Sequence, residues 1–238
     1  MIPLRRLFPK LFSYEDSESF VNRCRRRRAA LIWQCLESYA LPHGRLRILD
    51  VGGGLGFWRA IGLPDPHRYH VTLLNLDRPL LNDDVQGFSS VEGDACRLPY
   101  ERGDFDVVMS NSVIEHVGWR DDRARMAAEI SRVSDCYIVQ TPSFWFPIEP
   151  HVLLPCFQFL PAIVAGVLIR LFRISGVPRG DGSFAACIEG VRKNRMLTRS
   201  QFRSCFPDAT IYSERLLGLT KSYIAIHGFQ GIDSEVLK

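Results

Sequence analysis

The sequence lacks the cysteine spacings that indicate a disulfide framework or a structural zinc site. Its cysteines number seven, an odd total, and no two of them form a Cys-x-x-Cys pair. Cysteines without such a pattern are typically reduced and buried in cytosolic proteins. We therefore expect reduced thiols, a cytoplasmic location and no metal site.

A secretory leader and a strong charge of one sign are also missing. The opening residues 1–6 are not followed by an uninterrupted apolar stretch and a small-residue cleavage site, so no leader is predicted. The formal net charge is only +4 over 238 residues. A charge this small is compatible with anionic ligands, but it does not argue for a nucleic-acid partner.

Strands and helices alternate along most of the chain, which predicts one α/β domain over residues 45–238. Strands are predicted at 46–51, 70–76, 89–92, 105–110, 136–140, 209–216 and 219–227. This order predicts a Rossmann-like, mostly parallel sheet of seven strands with helices on both faces, an antiparallel last strand and a helical insert after the fifth strand.

A helical region at residues 1–44 precedes this domain, with a helix predicted over 15–39. Within it, residues 25–28 are four consecutive arginines. We interpret them as a solvated basic helix face, with contact to an anionic substrate or a membrane surface as the alternative.

Glycines follow the first strand, but the dinucleotide-binding fingerprint Gly-x-Gly-x-x-Gly is absent. Counted from Gly52, its third glycine should stand at Phe57, and counted from Gly54 it should stand at Arg59. Because both registers fail, a nucleotide-dependent oxidoreductase is disfavoured as an alternative.

The pattern that is present is acid-x-Gly-x-Gly-x-Gly, formed by Asp50, Gly52, Gly54 and Gly56. It resembles the first motif of the Rossmann-like S-adenosylmethionine-dependent methyltransferases, of the small-molecule (type 11) kind. The resemblance implies that this loop, including Gly53, wraps the methionine part of S-adenosylmethionine, and that S-adenosylhomocysteine is the product. No metal is implied.

Acidic residues after the next two strands extend this resemblance. Asp77 ends the second predicted strand, and two carboxylate oxygens match the two hydroxyls of a ribose. Residues 92–100 resemble the family's Gly-Asp-Ala segment, which implies that Asp94 binds the adenine amino group and the Ala95 N–H meets the ring. Asn111, in the loop at 110–117 that follows the fourth strand, is assigned to the same site.

Two histidines are candidates for the chemistry on the acceptor side. His116 follows the fourth strand, and its side chain suits a general base near neutral pH, although a structural role in the turn is an equal alternative. His151 follows the fifth strand in a proline-rich segment and is the second candidate. Which of the two acts as base is left open.

Four further residues are predicted to bind the acceptor. They are Glu115, Phe144, Trp145 and Glu149. The aromatic pair could form a wall of the acceptor pocket or cover the edge of the sheet, and Glu149 together with His151 could hydrogen-bond a polar acceptor.

An apolar insert is predicted at about residues 141–194. Its central stretch at 152–169 has no charged residue, but Pro155, Gln158 and Pro161 interrupt it. A helix crossing a membrane there would separate two halves of one sheet, so we reject that interpretation. Two alternatives stay open: a helical lid over the acceptor pocket, or a surface that dips into a membrane with help from Arg170, Arg173 and Arg179.

Together these patterns predict transfer of a methyl group from S-adenosylmethionine to a small-molecule or lipid-linked acceptor, with oxygen as the expected atom. The main alternative is a binding subunit that keeps the fold without catalysis. A nucleic-acid substrate is not expected, because no Asn/Asp-Pro-Pro-Tyr motif follows the fourth strand. If the insert dips into a membrane, we expect a peripheral location at the inner face of that membrane.

Overall fold

A computed structural model describes residues 20–39, 45–77, 85–172, 174 and 181–233. Seven strands form one sheet: β1 (Leu46–Val51), β2 (Tyr69–Asn75), β3 (Phe88–Glu92), β4 (Val107–Asn111), β5 (Tyr137–Pro142), β8 (Thr210–Leu216) and β9 (Leu219–His227). Two short strands, β6 (Ile148–Glu149) and β7 (Leu154–Pro155), pair separately. The helices are α1 (Phe20–Ser38), α2 (Leu55–Ile61), α3 (Arg120–Val133), α4 (Ala162–Phe172), α5 (Phe184–Lys193) and α6 (Arg199–Cys205).

The sheet has the order β3-β2-β1-β4-β5-β9-β8. Strands β1 to β5 are parallel, whereas β9 runs antiparallel to both β5 and β8. The order reverses at β1, so the chain leaves β1 and β4 in opposite directions. Open α/β sheets bind ligands in the crevice at such a point, beyond the carboxyl ends of the strands.

Alternating side chains of the buried strands build two separate cores. Leu49 of β1 packs towards the face covered by α3 and α6, where Phe202 and Phe206 are buried. Ile48, its neighbour in the strand, packs towards the face covered by α1 and α2, where Trp58 is buried. This period of two along a strand that is covered on both faces confirms the predicted fold class.

Element ends differ from the prediction by one or two residues at several places. Strand β2 ends at Asn75, so Asp77 lies in the loop beyond it, and β4 begins at Val107. Helix α6 begins at the predicted capping box, where Thr198 accepts a hydrogen bond from the Gln201 N–H.

Helix α1 corrects the interpretation of the four arginines. Arg26 and Arg27 are exposed, but Arg28 is buried and its guanidinium donates to Glu214 of β8 at 2.8 Å and to Asn111 of β4 at 2.7 Å. A uniformly solvated face was therefore the wrong prediction for Arg28. Residues 15–19 of the predicted helix, and all of residues 1–19, lie outside the described residues, as does the side chain of Arg25.

The chain after β5 forms a small helical layer with its own core. Helices α4 and α5 pack so closely that a Cβ at Gly166 would lie 2.8 Å from the Ile188 backbone, and glycine at this position permits the contact. The opposite side of α4 exposes Ile163, Leu171 and Phe172. None of the helices among the described residues is long and apolar enough to cross a membrane. Arg173 and Arg179 lie outside the described residues, and the choice between lid and membrane contact stays a prediction.

Candidate functional site

A cleft of about 1040 Å³, here called the first cavity, opens beside the carboxyl ends of β1 and β2. This volume lies at the upper end of the range typical of small-molecule sites, about 300–1,000 Å³. Seven of the residues predicted from the sequence line it: Gly52, Gly53, Gly54, Asp77, Asp94, Ala95 and His116. The sheet therefore brings the glycine turn, the two acidic loops and one candidate histidine to a single cleft.

The turn after β1 needs glycine at two positions for different reasons. Gly52 has a φ of +74°, a conformation that side chains rarely adopt. At Gly53 there is no room for a side chain, because a Cβ there would lie 1.8 Å from the carboxylate of Asp50. The turn is also pinned from β2, where the Asn75 side chain donates to the Gly53 carbonyl at 2.7 Å. The sequence prediction missed Asn75, although a polar residue closing a buried strand is a usable signal.

Asp50 lies directly beneath this turn and is buried. One oxygen, Oδ2, accepts a hydrogen bond from the Trp58 indole at 2.8 Å, while the other, Oδ1, has no partner. Burial raises the pKa of Asp50 to about 7, because desolvation outweighs the hydrogen bond from Trp58. A carboxylate in this state would be stabilised by a bound cationic group such as an ammonium.

Asp50→Asn is expected to gain stability relative to the unsubstituted protein as the pH rises. The raised pKa favours the protonated carboxyl in the folded chain, so Asp50 contributes stability at low pH that is lost as the pH rises towards 7. Between pH 5 and pH 8 the difference in unfolding free energy should shift by roughly 2–3 kcal/mol in favour of the variant. Urea unfolding at both pH values measures this shift, and a constant difference would contradict it.

Asp77 and Asp94 also line the first cavity, and both are exposed. The Asp94 carboxylate accepts a hydrogen bond from the Cys96 N–H at 2.8 Å, which holds the loop in a tight turn. This turn places the Ala95 backbone on the cavity wall. The predicted roles of these residues in binding ribose and adenine stay predictions.

Several of the predicted residues do not line the first cavity. Gly56 is exposed on α2, and Asn111 turns its side chain to Arg28. Trp145 is 64% exposed. Phe144 packs its ring edge to face with Trp145 and Phe159, at the surface of the insert rather than in the cleft.

His116 and His151, the two candidate bases, lie side by side. Their Nε2 atoms are 3.0 Å apart. Each ring is fixed through Nδ1, His116 by the Asn194 Oδ1 at 2.5 Å and His151 by the Glu149 Oε1 at 2.6 Å. Burial alone would lower the pKa of His151, but the hydrogen bond and the charge of Glu149 outweigh it and raise the pKa.

Glu115 lies next to the two histidines and is fully buried. Its Oε2 accepts a hydrogen bond from the Thr141 hydroxyl at 3.0 Å, and its Oε1 has no partner. Burial raises the pKa of Glu115, although the charges of His116 and His151 act in the opposite direction. The ligand atoms of Glu115, His116 and His151 all lie within 4.8 Å of one another, a convergence that their spacing in the sequence does not reveal.

A second cavity of about 500 Å³ meets the first at Gly118. Its polar lining is basic, with Arg120, Arg123, Arg192 and Arg195, and Glu149 also reaches it. Its apolar lining comes from the insert and includes Phe157, Phe159 and Leu160. The arrangement suits a molecule that has both an anionic or strongly polar group and an apolar part.

Residues 49–135 match the family model described as a methyltransferase domain. The chain is also similar to 2-methyl-6-phytyl-1,4-hydroquinone methyltransferase 1, chloroplastic, of Oryza sativa subsp. japonica, with 32% identity over 120 residues. That match covers 46% of this chain and 36% of the rice protein, so the chain spans about a third of its relative's length.

Solved methyltransferases share the fold at low sequence identity. The CurJ carbon methyltransferase superposes with a TM-score of 0.55 at 11% identity, covering 95% of this chain and 61% of that one. The small RNA methyltransferase HEN1 gives 0.50 at 15% identity, covering 87% and 25%. Residues 49–135 therefore match a methyltransferase domain, and these likenesses together with the strand order show that the chain has the Rossmann-like fold of solved methyltransferases.

Proposed function

We propose that the protein transfers a methyl group from S-adenosylmethionine to a hydroxyl oxygen of a small-molecule or lipid-linked acceptor. The observation that carries the proposal is the first cavity. The glycine turn, the two aspartates and His116 all line it. A donor bound along it would extend from Asp94 and Asp77 past Gly53 and would direct its sulfur towards His116.

The residues around the glycine turn fit this donor. The buried carboxylate of Asp50, with one oxygen unpartnered, places negative charge beneath the turn that suits the ammonium of the methionine part, and Gly53 leaves room for this carboxylate because it has no side chain. Asp77 suits the two ribose hydroxyls, since each of its oxygens can accept one hydrogen bond. Once bound, the donor supplies an activated methyl group on a positively charged sulfur.

The second cavity is our proposed acceptor site. Gly118 lines both cavities, so an acceptor held in the second would lie beside the donor site. The four arginines would bind an anionic or polar group of the acceptor, and the insert would contact its apolar part. The rice relative is named for a phytyl hydroquinone, a compound with polar groups and an apolar chain, which supports an acceptor of this amphiphilic kind.

The transfer itself is an in-line displacement. The sulfur–methyl bond breaks and its electron pair stays on sulfur, while an acceptor oxygen forms the new bond to carbon and gives its proton to a basic side chain or to water. The protein's task is to hold the two reactants in line and to exclude water. A cavity wall that includes His116 provides a polar group at the point where the acceptor oxygen would sit.

Asp77→Ala tests the donor site. Its affinity for S-adenosylhomocysteine should fall by about 1–3 kcal/mol, because the ribose hydroxyls lose the carboxylate that accepts their hydrogen bonds. Asp135→Ala is the control: its side chain is also exposed, but it precedes β5 at the amino ends of the strands. Calorimetry on both variants gives the answer, and equal affinity in the two would mean that the ribose lies elsewhere.

Transfer of labelled methyl groups tests catalysis separately from binding. We expect label from S-adenosylmethionine to enter hydroxyl-bearing compounds of a cell extract, with amphiphilic ones among them. A protein that binds S-adenosylhomocysteine but labels nothing would support the binding-subunit alternative instead.

A further inference from the structure

We propose that Glu115, His116 and His151 bind one divalent transition-metal ion at the junction of the two cavities. Their ligand atoms all lie within 4.8 Å of one another. Imidazole nitrogen together with carboxylate oxygen is a ligand set that suits zinc, manganese or cobalt.

When both rings are neutral, their hydrogen bonds leave both Nε2 atoms without a proton. Asn194 donates through its Nδ2 to the Gly190 carbonyl at 2.8 Å, so the oxygen of its amide faces His116. That oxygen can only accept, and His116 must donate to it from Nδ1. His151 likewise donates from Nδ1 to the Glu149 carboxylate, whose other oxygen is engaged by the N–H groups of His151 and Val152.

Two Nε2 lone pairs thus face each other at 3.0 Å, which is unfavourable unless a cation lies between them. With metal–nitrogen bonds of about 2.0–2.1 Å, this separation gives an angle of roughly 90° at the ion, as between neighbouring ligands of an octahedron. Fixing each metal-bound imidazole through its other nitrogen is the arrangement that orients histidine ligands in metal sites.

The position of Glu115 favours a metal ion over a proton shared between the two rings. A proton between the rings would satisfy the histidines but would leave the buried Oε1 of Glu115 without a partner. Arg123 does not supply one, because its guanidinium donates to the Glu115 backbone carbonyl and not to the carboxylate. A divalent ion satisfies all three groups at once and offsets the charge of the buried carboxylate.

Three protein ligands leave positions on the ion open, as is usual for catalytic rather than structural metal sites. His116 lines the first cavity and Glu149, which holds His151, lines the second. If the proposed methyl transfer holds, an ion here would act as a Lewis acid on the acceptor hydroxyl and ease loss of its proton. Metal binding itself does not depend on that function.

Titration of the chelator-treated protein with Co²⁺ and Zn²⁺ tests the site. We expect one bound ion per chain, and with Co²⁺ a visible absorption band without the near-ultraviolet band of a thiolate ligand. Affinity should fall more than 100-fold in Glu115→Gln and His116→Ala, and about 10–100-fold in Asn194→Ala, which frees one imidazole. His67→Ala, an exposed histidine outside the cluster, should bind as the unsubstituted protein does.

Three results would overturn the proposal. They are no stoichiometric binding, a thiolate band, or equal affinity in all four variants. Glu115→Gln keeps an acceptor for the Thr141 hydroxyl, and thermal unfolding of each variant separates loss of metal from loss of fold. Calorimetry with S-adenosylhomocysteine in the presence of chelator shows whether the donor site stands independently, so the two proposals can fail separately.

Discussion

Gly53→Ala is expected to lower the affinity for S-adenosylhomocysteine by at least 100-fold. The added Cβ would lie 1.8 Å from Oδ2 of Asp50, a distance that no contact tolerates, so the turn or the carboxylate must move. Asp50 cannot move easily, because it is buried and hydrogen-bonded to the Trp58 indole. The turn would therefore lift into the first cavity, where the donor is proposed to bind.

Gly56→Ala is the matched variant. Both positions belong to the same glycine-rich stretch, but a Cβ at Gly56 would meet nothing within 4 Å, and Gly56 does not line the cavity. It is also helical, so alanine should stabilise α2 slightly. Calorimetry with the two variants should show loss of binding in the first and near-normal binding in the second. If both variants bound S-adenosylhomocysteine normally, or if both lost binding, the result would contradict the geometry of the turn.

Arg28→Met is expected to lower the free energy of unfolding by about 3–5 kcal/mol, the usual effect of removing one partner from a buried ion pair. Arg28 donates to Glu214 on β8 and to Asn111 at the end of β4, so it joins α1 to both parts of the sheet. Without it, Glu214 keeps Ser222 and the more distant Lys221, at 3.6 Å, as its partners. Urea unfolding measures the loss.

Arg27→Met is the control for this experiment, because it removes the neighbouring arginine of the same quartet at an exposed position. It should change the unfolding free energy by less than about 0.5 kcal/mol. The double variant Arg28→Met with Glu214→Leu should recover part of the loss, since no charge is then left buried without its partner. A small effect of Arg28→Met alone would mean that the pair does not form.

Much of the fold follows from local patterns in the sequence. The strands around Ile48 and Leu73 are buried on both faces and are rich in apolar residues, as is typical of strands in a parallel sheet. The crossovers then place the carboxyl ends of β1 and β2 at one edge, and this brings Gly52 and Asp77 together without any knowledge of side-chain contacts.

Contacts across long stretches of chain could not be predicted in the same way. Arg28 looks like one of four equivalent arginines, and only the packing of α1 against Glu214, 186 residues later, makes it different. The pair of His116 and His151 depends on how the insert folds back after β5 and on Asn194 at its far end. Neither contact has a local pattern in the sequence.

A crystal structure of the protein with bound S-adenosylhomocysteine is the most direct measurement of the donor site. The account predicts adenine beside Asp94 and Ala95, ribose hydroxyls on Asp77, the ammonium above Asp50, and a sulfur that faces the His116 end of the first cavity. Density for the nucleoside in the second cavity, or in the first with its ends reversed, would contradict it.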